Sequence, residues 1–317
     1  MTVDDHNHYQ REDLGPSRLE EVGPGIFAWI QPDGGWYINN TGFLVGRKGI
    51  ISIDASSTES RTKEYLGAIR EVSLLPVTTL VNTHSHTDHT NGNYLFSGAT
   101  IVAHEKCREM VLANGPSKTD LTGPFPNIEW GELEPAPPFL TYSTGVTIWS
   151  DETECRVRHV GGPAHTTDDS TVWLPEHSIL FAGDVVFNGG APLVSAGSVA
   201  GSLAVLRGLK TLGAQTIVPG HGDVCGPEVF DVLIAYLSFV QSLAAKGKSN
   251  RWTPLETALN EGEHQFSYLL DGERLVANLH RAYAEIDGAA PGAPIDLIAT
   301  RVDMIAYNGG RPLRCHA

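Results

Sequence analysis

The chain opens with short apolar runs punctuated by glycine. Residues 25–30 (GIFAWI), 42–46 (GFLVG) and 49–54 (GIISID) are too short for helices and rich in β-branched and aromatic side chains, which predicts strands joined by tight turns. Past Ser60 the period changes. Tyr65, Leu66, Ile69 and Val72 fall on one helical face, so an amphipathic helix is expected over 60–72, ending before Pro76. A strand at 77–82, a short helix near 91–96, a strand at 100–103 and a helix at 105–113 complete a first β-then-α half.

Residues 114–142 break the pattern. Pro116, Pro124, Pro126, Pro135, Pro137 and Pro138 are interleaved with Phe125, Trp130, Phe139 and Tyr142; prolines alone would fit a linker, but the aromatics fit a packed lid or pocket wall. The strand pattern resumes at 146–150, 155–160, 171–174 and 178–182, followed by a helix at 198–212, a strand at 216–219 and helices beyond Pro227. From Trp252 the pattern is helical, with Leu275, Leu279 and Tyr283 on one face. Two β-rich halves with helices outside predict an α/β fold built as a four-layer αββα sandwich. The boundaries read as a polar tail over 1–21, a domain over 22–245 that contains the insertion, and a helical extension over 246–317 packed on the same domain.

Charge narrows the function. With 22 Lys+Arg against 37 Asp+Glu, the 317 residues carry a formal charge of -15, and no basic surface is available for phosphate contacts, which excludes a nucleic-acid-binding module. No run of about 20 apolar residues is present, and a chain that is 41% hydrophobic is expected to bury its core in water and not in a membrane. The first 21 residues lack the basic and apolar stretches of a secretory leader, so a cytoplasmic location is expected. Cys107, Cys155, Cys225 and Cys315 are too far apart for a redox pair or zinc knuckle and are read as free thiols. Helices beyond 228 leave a homo-oligomer open.

The thirteen histidines are more informative, because four candidate ligands fall within 84–89 (HSHTDH), just after a strand. In an extended loop, residues two apart point the same way, so His84 and His86 can grip one ion while Asp88 and His89 turn to a second. Packing does not explain such a cluster. His165, Asp184 and His221 follow at strand ends or Gly-rich turns; singly they would pass as turn residues, but with the cluster they read as ligands. Nitrogen and carboxylate donors without thiolate suit zinc, with iron or manganese as substitutes. Asp54 either orients a ligand from behind or caps its strand. His104 and His159 are expected in or beside strands as inert core groups, and His6, His8, His177, His264 and His316 on the surface.

The HxHxDH run, GPxHT at 162–166, GD at 183–184 and PGHG at 219–222 together resemble the metallo-β-lactamase superfamily, in order across residues 22 to about 240. The resemblance implies a sandwich with two metals at the edge of its inner sheets. His84, His86 and His165 would hold the first and Asp88, His89 and His221 the second, with Asp184 bridging both. It further implies a hydroxide between two Zn²⁺ as the nucleophile, with Asp88 accepting a hydrogen bond from it, so that no Ser or Cys nucleophile is needed.

Within that superfamily, true β-lactamases carry other chemistry near the bridging position, so Asp184 points toward the glyoxalase II, lactonase and thioesterase side. Trp36 and Tyr37 stand beside Gly34 and Gly35 and are expected either to pack in the core or to form a mobile aromatic flap over a flat acyl group. Pro32-Asp33-Gly34-Gly35-Trp36, Asn39-Asn40 and residues 308–313 (NGGRPL) also resemble the thioesterase/cyclases of bacterial aromatic polyketide pathways. That resemblance implies hydrolysis of a bulky acyl thioester, presented by an acyl-carrier protein. Alternatives are a lactonase or carboxylic esterase with the same metals, a β-lactamase, and a non-catalytic metal-binding protein.

Overall fold

A computed structural model of the chain describes residues 14–115, 125 and 128–317. The first sheet has seven strands in chain order: β1 (Arg18–Gly23), β2 (Ile26–Ile30), β3 (Thr41–Val45), β4 (Ile50–Ile53), β5 (Val77–Val81), β6 (Thr100–His104) and β7 (Leu140–Tyr142). The second runs in reverse, from β12 (Thr216–His221) through β11 (Ile179–Phe187), β10 (Ser170–Leu174) and β9 (Thr153–His159) to β8 (Gly145–Ser150). Strands β1 to β4 pair antiparallel, β1 with β2 and β3 with β4 through tight turns and β2 with β3 through a longer strap over 31–40, whereas β4 to β7 and β11 with β12 are parallel. Parallel partners need crossovers. These contain α1 (Glu59–Val72), α2 (Thr87–Thr90), α3 (Glu105–Asn114) and α4 (Val199–Lys210).

The layers follow from which faces are apolar. Ile26, Ala28, Ile30, Leu44 and Ile53 of the first sheet meet Val157, Val172, Phe181 and Val218 of the second. Outside the first sheet, Tyr65, Ala68 and Ile69 of α1 cover Phe43, Ile50 and Leu80. Outside the second lie α4, α5 (Glu228–Asn250) and α7 (Arg274–Ile286), with α6 (Pro254–Glu261) and α8 (Leu297–Tyr307) beyond. The αββα sandwich with a helical C-terminal region is therefore the observed fold. Among the described residues, α5 alone is long and apolar enough to cross a membrane, but Phe230, Leu233, Leu237, Val240 and Leu243 are spent on the core.

Several expected boundaries move. A strand, β1, begins at Arg18 inside the expected tail; its polar look comes from its place at the sheet edge, where only part of each residue is covered. Strand β11 runs on to Phe187, because Gly183 marks a register shift within the strand and not its end. Helix α5 continues to Asn250, past the expected boundary at 245. In the insertion, residues 140–142 join the first sheet as β7, Phe125 and Trp130 are buried, and Phe139 is 84% exposed. Pro116, Pro124 and Pro126, like His6 and His8, lie outside the described residues. His316 is buried, not exposed, because its carbonyl accepts a bond from the buried Arg61 Nη2 at 2.5 Å. His177 and His264 are half-buried.

Candidate metal centre

Strand β5 delivers its last residue to the edge between the sheets, and the chain turns there. Asn82 Nδ2 donates to the carbonyl of His89 at 3.0 Å and to Asn93 Oδ1 at 3.0 Å, which folds residues 83–89 back over the strand end. This places His84 and His86 on the loop and Asp88 and His89 on α2. Strand β11 contributes Asp184, β12 ends on His221, and the loop after β9 supplies His165. Gly220 is required beside them: a Cβ there would lie 1.9 Å from Asp184 Oδ1.

The seven side chains form two clusters that share Asp184. His84, His86, His165 and Asp184 make one, and Asp88, His89, Asp184 and His221 the other, each with its ligand-type atoms within 4.8 Å of one another. His165 Nε2 is 2.7 Å from His86 Nδ1 and 3.4 Å from Asp184 Oδ2. Asp184 Oδ1 is 3.0 Å from His89 Nε2, and His221 Nε2 is 3.3 Å from both Asp184 Oδ2 and Asp88 Oδ2.

The outer nitrogens explain which atoms face inward. His89 Nδ1 donates to Asp54 Oδ2 at 2.9 Å, His165 Nδ1 to the Leu193 carbonyl at 2.5 Å and His221 Nδ1 to the Gly34 carbonyl at 3.1 Å. His84 Nδ1 lies 3.1 Å from Thr83 Oγ1, whose own proton goes to Asp54 Oδ2, so the ring donates there too. Each of these Nδ1 atoms is thereby fixed and the Nε2 of the same ring faces the centre, the arrangement that orients imidazoles on a metal. Inside, His84 Nε2 is buried without a hydrogen-bond partner, and His89 Nε2 faces the shared carboxylate, 3.0 Å from Asp184 Oδ1. Buried polar atoms are otherwise almost always paired, so the inward His84 nitrogen fits a metal site.

Electrostatics separate the clusters. Burial, reinforced by neighbouring rings, lowers His84 well below its usual value, and burial with His165 beside it lowers His86 to about 4. Those rings are neutral donors at neutral pH. Burial acts the same way on His221, but Asp184 and Asp88 outweigh it and hold the ring up at about 9. Burial alone would raise Asp88, yet His89 and His221 hold it down at about 2.

A cavity of about 810 Å³ opens onto His86, Asp88, His165, Asp184 and His221. Trp36, Tyr37, Phe125 and Phe187 form its aromatic wall, while Leu297, Thr300 and Met304 of α8 close the far side. Trp36 and Tyr37 are not a free flap. The indole Nε1 donates to Glu273 Oε1 at 2.6 Å, the Arg274 guanidinium sits 4.3 Å over the ring, and Cys315 Sγ reaches the Trp36 carbonyl. Tyr37 packs edge-on to Phe125 and Trp130. Cys225 is in neither cluster; it pairs with Ile217, and burial pushes its thiol up to about 12.

Sequence reasoning missed Asp168, Phe187, Arg274 and the 191–195 loop. Asp168 lines the cavity and accepts from Ser85 Oγ at 3.1 Å, and Phe187 stacks on His221 with ring centroids 5.1 Å apart. Their proximity to the site depends on long-range packing. The local signal that could have marked Arg274 is the polar row it forms with Asn278 and Arg281 at i, i+4 and i+7 of α7, among apolar neighbours.

The comparisons with known proteins agree with this geometry. Residues 34–221 match the family model described as "Metallo-beta-lactamase superfamily". The chain is 24% identical over 229 residues to a metallo-beta-lactamase type 2 of Bacillus cereus, covering 68% of this chain and 80% of that protein. It is 30% identical over 152 residues to a hydroxyacylglutathione hydrolase of Rhodospirillum rubrum, spanning 48% of each. In fold it is similar to a metallo-beta-lactamase from Pontibacter korlensis, with a TM-score of 0.59 at 19% identity over 70% of this chain and 99% of that one. Every one of the seven converging side chains lies inside the matched stretch, and the chain belongs to the metallo-beta-lactamase superfamily.

Proposed function

We propose that this chain is a dinuclear zinc hydrolase that cleaves a bulky, flat acyl thioester, as a thioesterase or thioesterase/cyclase of aromatic polyketide biosynthesis. The observation that carries the reading is Asp184, shared by two ligand clusters at the floor of an aromatic-walled cavity. A structural zinc needs four closed ligands and no shared carboxylate. The name of one relative, hydroxyacylglutathione hydrolase, is that of a hydrolase of acyl glutathione, which supports the thioester.

His84, His86 and His165 would hold one ion, Asp88, His89 and His221 the other, and Asp184 both. Zinc bound there supplies Lewis acidity and makes water a nucleophile near neutral pH. The chain's own residues do the rest. Asp88, ionised at neutral pH, accepts a hydrogen bond from the attacking water and orients it, while Trp36, Tyr37 and Phe125 bind the acyl rings and exclude bulk water. Water adds to the carbonyl carbon, the C–S bond breaks, and the products are a carboxylic acid and a thiol. The substrate is a small-molecule acyl group carried on an acyl-carrier protein in the cytoplasm.

The test is metal content by plasma mass spectrometry on protein purified without chelator, with turnover of an aryl thioester, a homoserine lactone and a cephalosporin. About two zinc ions per chain with preference for the thioester supports the proposal. Preference for the lactone reassigns the substrate, and one metal or none without turnover overturns the hydrolase.

A further inference from the structure

Helix α7 carries three polar side chains on one face, Arg274, Asn278 and Arg281, with relative exposures of 2%, 0% and 1%. Groups of this kind are buried only when they are partnered. Most of their hydrogen bonds go to one stretch of backbone, although Arg274 Nη2 also pairs with Asp271 Oδ2 at 2.8 Å and Asn278 Nδ2 also reaches the Tyr236 hydroxyl at 3.3 Å. Arg274 Nη1 donates to the Ala191 carbonyl at 2.9 Å and Asn278 Nδ2 to the Pro192 carbonyl at 2.7 Å. Asn278 Oδ1 accepts from Val194 N at 2.9 Å, and Arg281 donates twice to the Ser195 carbonyl, from Nε at 3.0 Å and Nη2 at 2.5 Å.

Two carbonyls in this run are not held by α7: that of Val194 accepts from Gly197 N at 3.0 Å, and that of Leu193 accepts from His165 Nδ1. The Leu193 carbonyl and the Val194 N–H belong to the same planar peptide group and point in opposite directions. Asn278 thus holds one end of a rigid peptide whose other end holds His165. Apolar packing could fill the space but could not fix the direction of that carbonyl, and bonds in such a chain polarise one another.

We infer that Asn278, supported by Arg274 and Arg281, is a positioning residue that sets the ring of His165 through the Leu193–Val194 peptide. The helical C-terminal region is in this way part of the metal site. Leu193 and Ser195 also line the cavity, so the same grip shapes its wall. The inference rests on the reading of His165 as a metal ligand.

The experiment compares the full-length chain with Asn278→Ala, Arg281→Lys and, as a control on the same helix, Tyr283→Phe, which removes bonds to Thr257 and the Trp252 carbonyl instead. Two quantities are read: the His165 Nδ1–H proton resonance on the metal-free chain, and Co²⁺ affinity by titration of its visible absorption. Asn278→Ala is expected to shift or broaden the resonance and weaken Co²⁺ about tenfold, the low end of the effect of losing an outer partner of a metal ligand. Arg281→Lys should move both in the same direction by less, which decides the matter if Asn278→Ala does not fold. Tyr283→Phe should lower thermal stability and leave both readings alone. Unchanged readings in Asn278→Ala and Arg281→Lys, or equal changes in Tyr283→Phe, overturn the inference. A wild-type chain that binds no Co²⁺ overturns the ligand reading instead, and the resonance on the metal-free chain still decides whether Asn278 sets His165.

Discussion

Asp54 stands directly behind His89, its Oδ2 2.9 Å from the ring Nδ1. The same carboxylate accepts from Thr83 N and Thr83 Oγ1, both at 2.7 Å, and Thr83 Oγ1 in turn meets His84 Nδ1 at 3.1 Å. One buried side chain therefore orients a ring from each ligand cluster, His89 directly and His84 through a threonine. Asp54→Asn keeps the volume but offers one acceptor oxygen where two are used. Metal affinity should fall about 10- to 100-fold, as for other outer partners of metal ligands, with the fold retained. Competition against a chromophoric chelator reads this, and an unchanged affinity would reduce Asp54 to a strand-end cap.

The clusters themselves make a sharper prediction. His86→Ala or His165→Ala removes a neutral donor from the first cluster and should lower metal content while cutting turnover by about a thousandfold or more. Asp184→Asn acts differently. It removes the charge that holds His221 up at about 9, so that ring becomes easier to deprotonate while the shared ligand is weakened. Partial metal should remain, without the paired centre. Metal analysis of the three variants beside their turnover checks this, and wild-type activity in all three removes the mechanism.

The residues that converge on the metal centre were legible because they are crowded: four donors within 84–89 leave little other explanation, and the later ones stand at strand ends where the fold brings them together. The layers were legible because apolar period distinguishes strand from helix. The edge strand β1 was not, since none of its residues is fully covered and its sequence reads as polar. Nor was the reach of β11 through Gly183, because a glycine that marks a shift in register looks the same in sequence as one that ends a strand. The α7 stripe was hidden for a third reason. Its residues find their partners some eighty positions away, as in the bond from Val194 N to Asn278, where |i−j| is 84, and no local pattern announces that.

Gly34 supports a prediction about the strap that carries Trp36. Its φ is +81°, and a Cβ there would lie 2.4 Å from the backbone nitrogen of Gly222. The Gly34 carbonyl is also the acceptor for His221 Nδ1. In Gly34→Ala the strap must lift off the end of β12, because neither clashing partner is a side chain that can swing away. A loss of about 2–4 kcal/mol is expected from overpacking together with backbone strain, with weaker metal binding at the His221 cluster. Urea denaturation gives the first quantity and chelator competition the second. A variant as stable as the parent would mean the strap and β12 are not in contact.

Trp36 tests the cavity wall. Its ring lines the cavity, lies 5.1 Å from Phe125 and is held by Glu273 and the Arg274 guanidinium, so its face is presented in a fixed orientation. A rigid aromatic face stacks on a flat acyl group at little entropic cost, whereas an acetyl group is too small to reach across the cavity to it. Trp36→Ala should therefore raise KM about tenfold for a thioester of a fused-ring acid, the equivalent of about 1.4 kcal/mol, and leave the acetyl thioester near its original value. The turnover number should change little for either, because Trp36 belongs to neither ligand cluster. Thermal melting beside the kinetics separates lost contact from lost structure: Glu273 and Arg274 lose a partner in the variant, and some destabilisation is expected even if the prediction is right. The comparison between substrates is what decides it. Equal changes in KM for the large and the small thioester would mean that the ring shapes the protein and never meets the substrate.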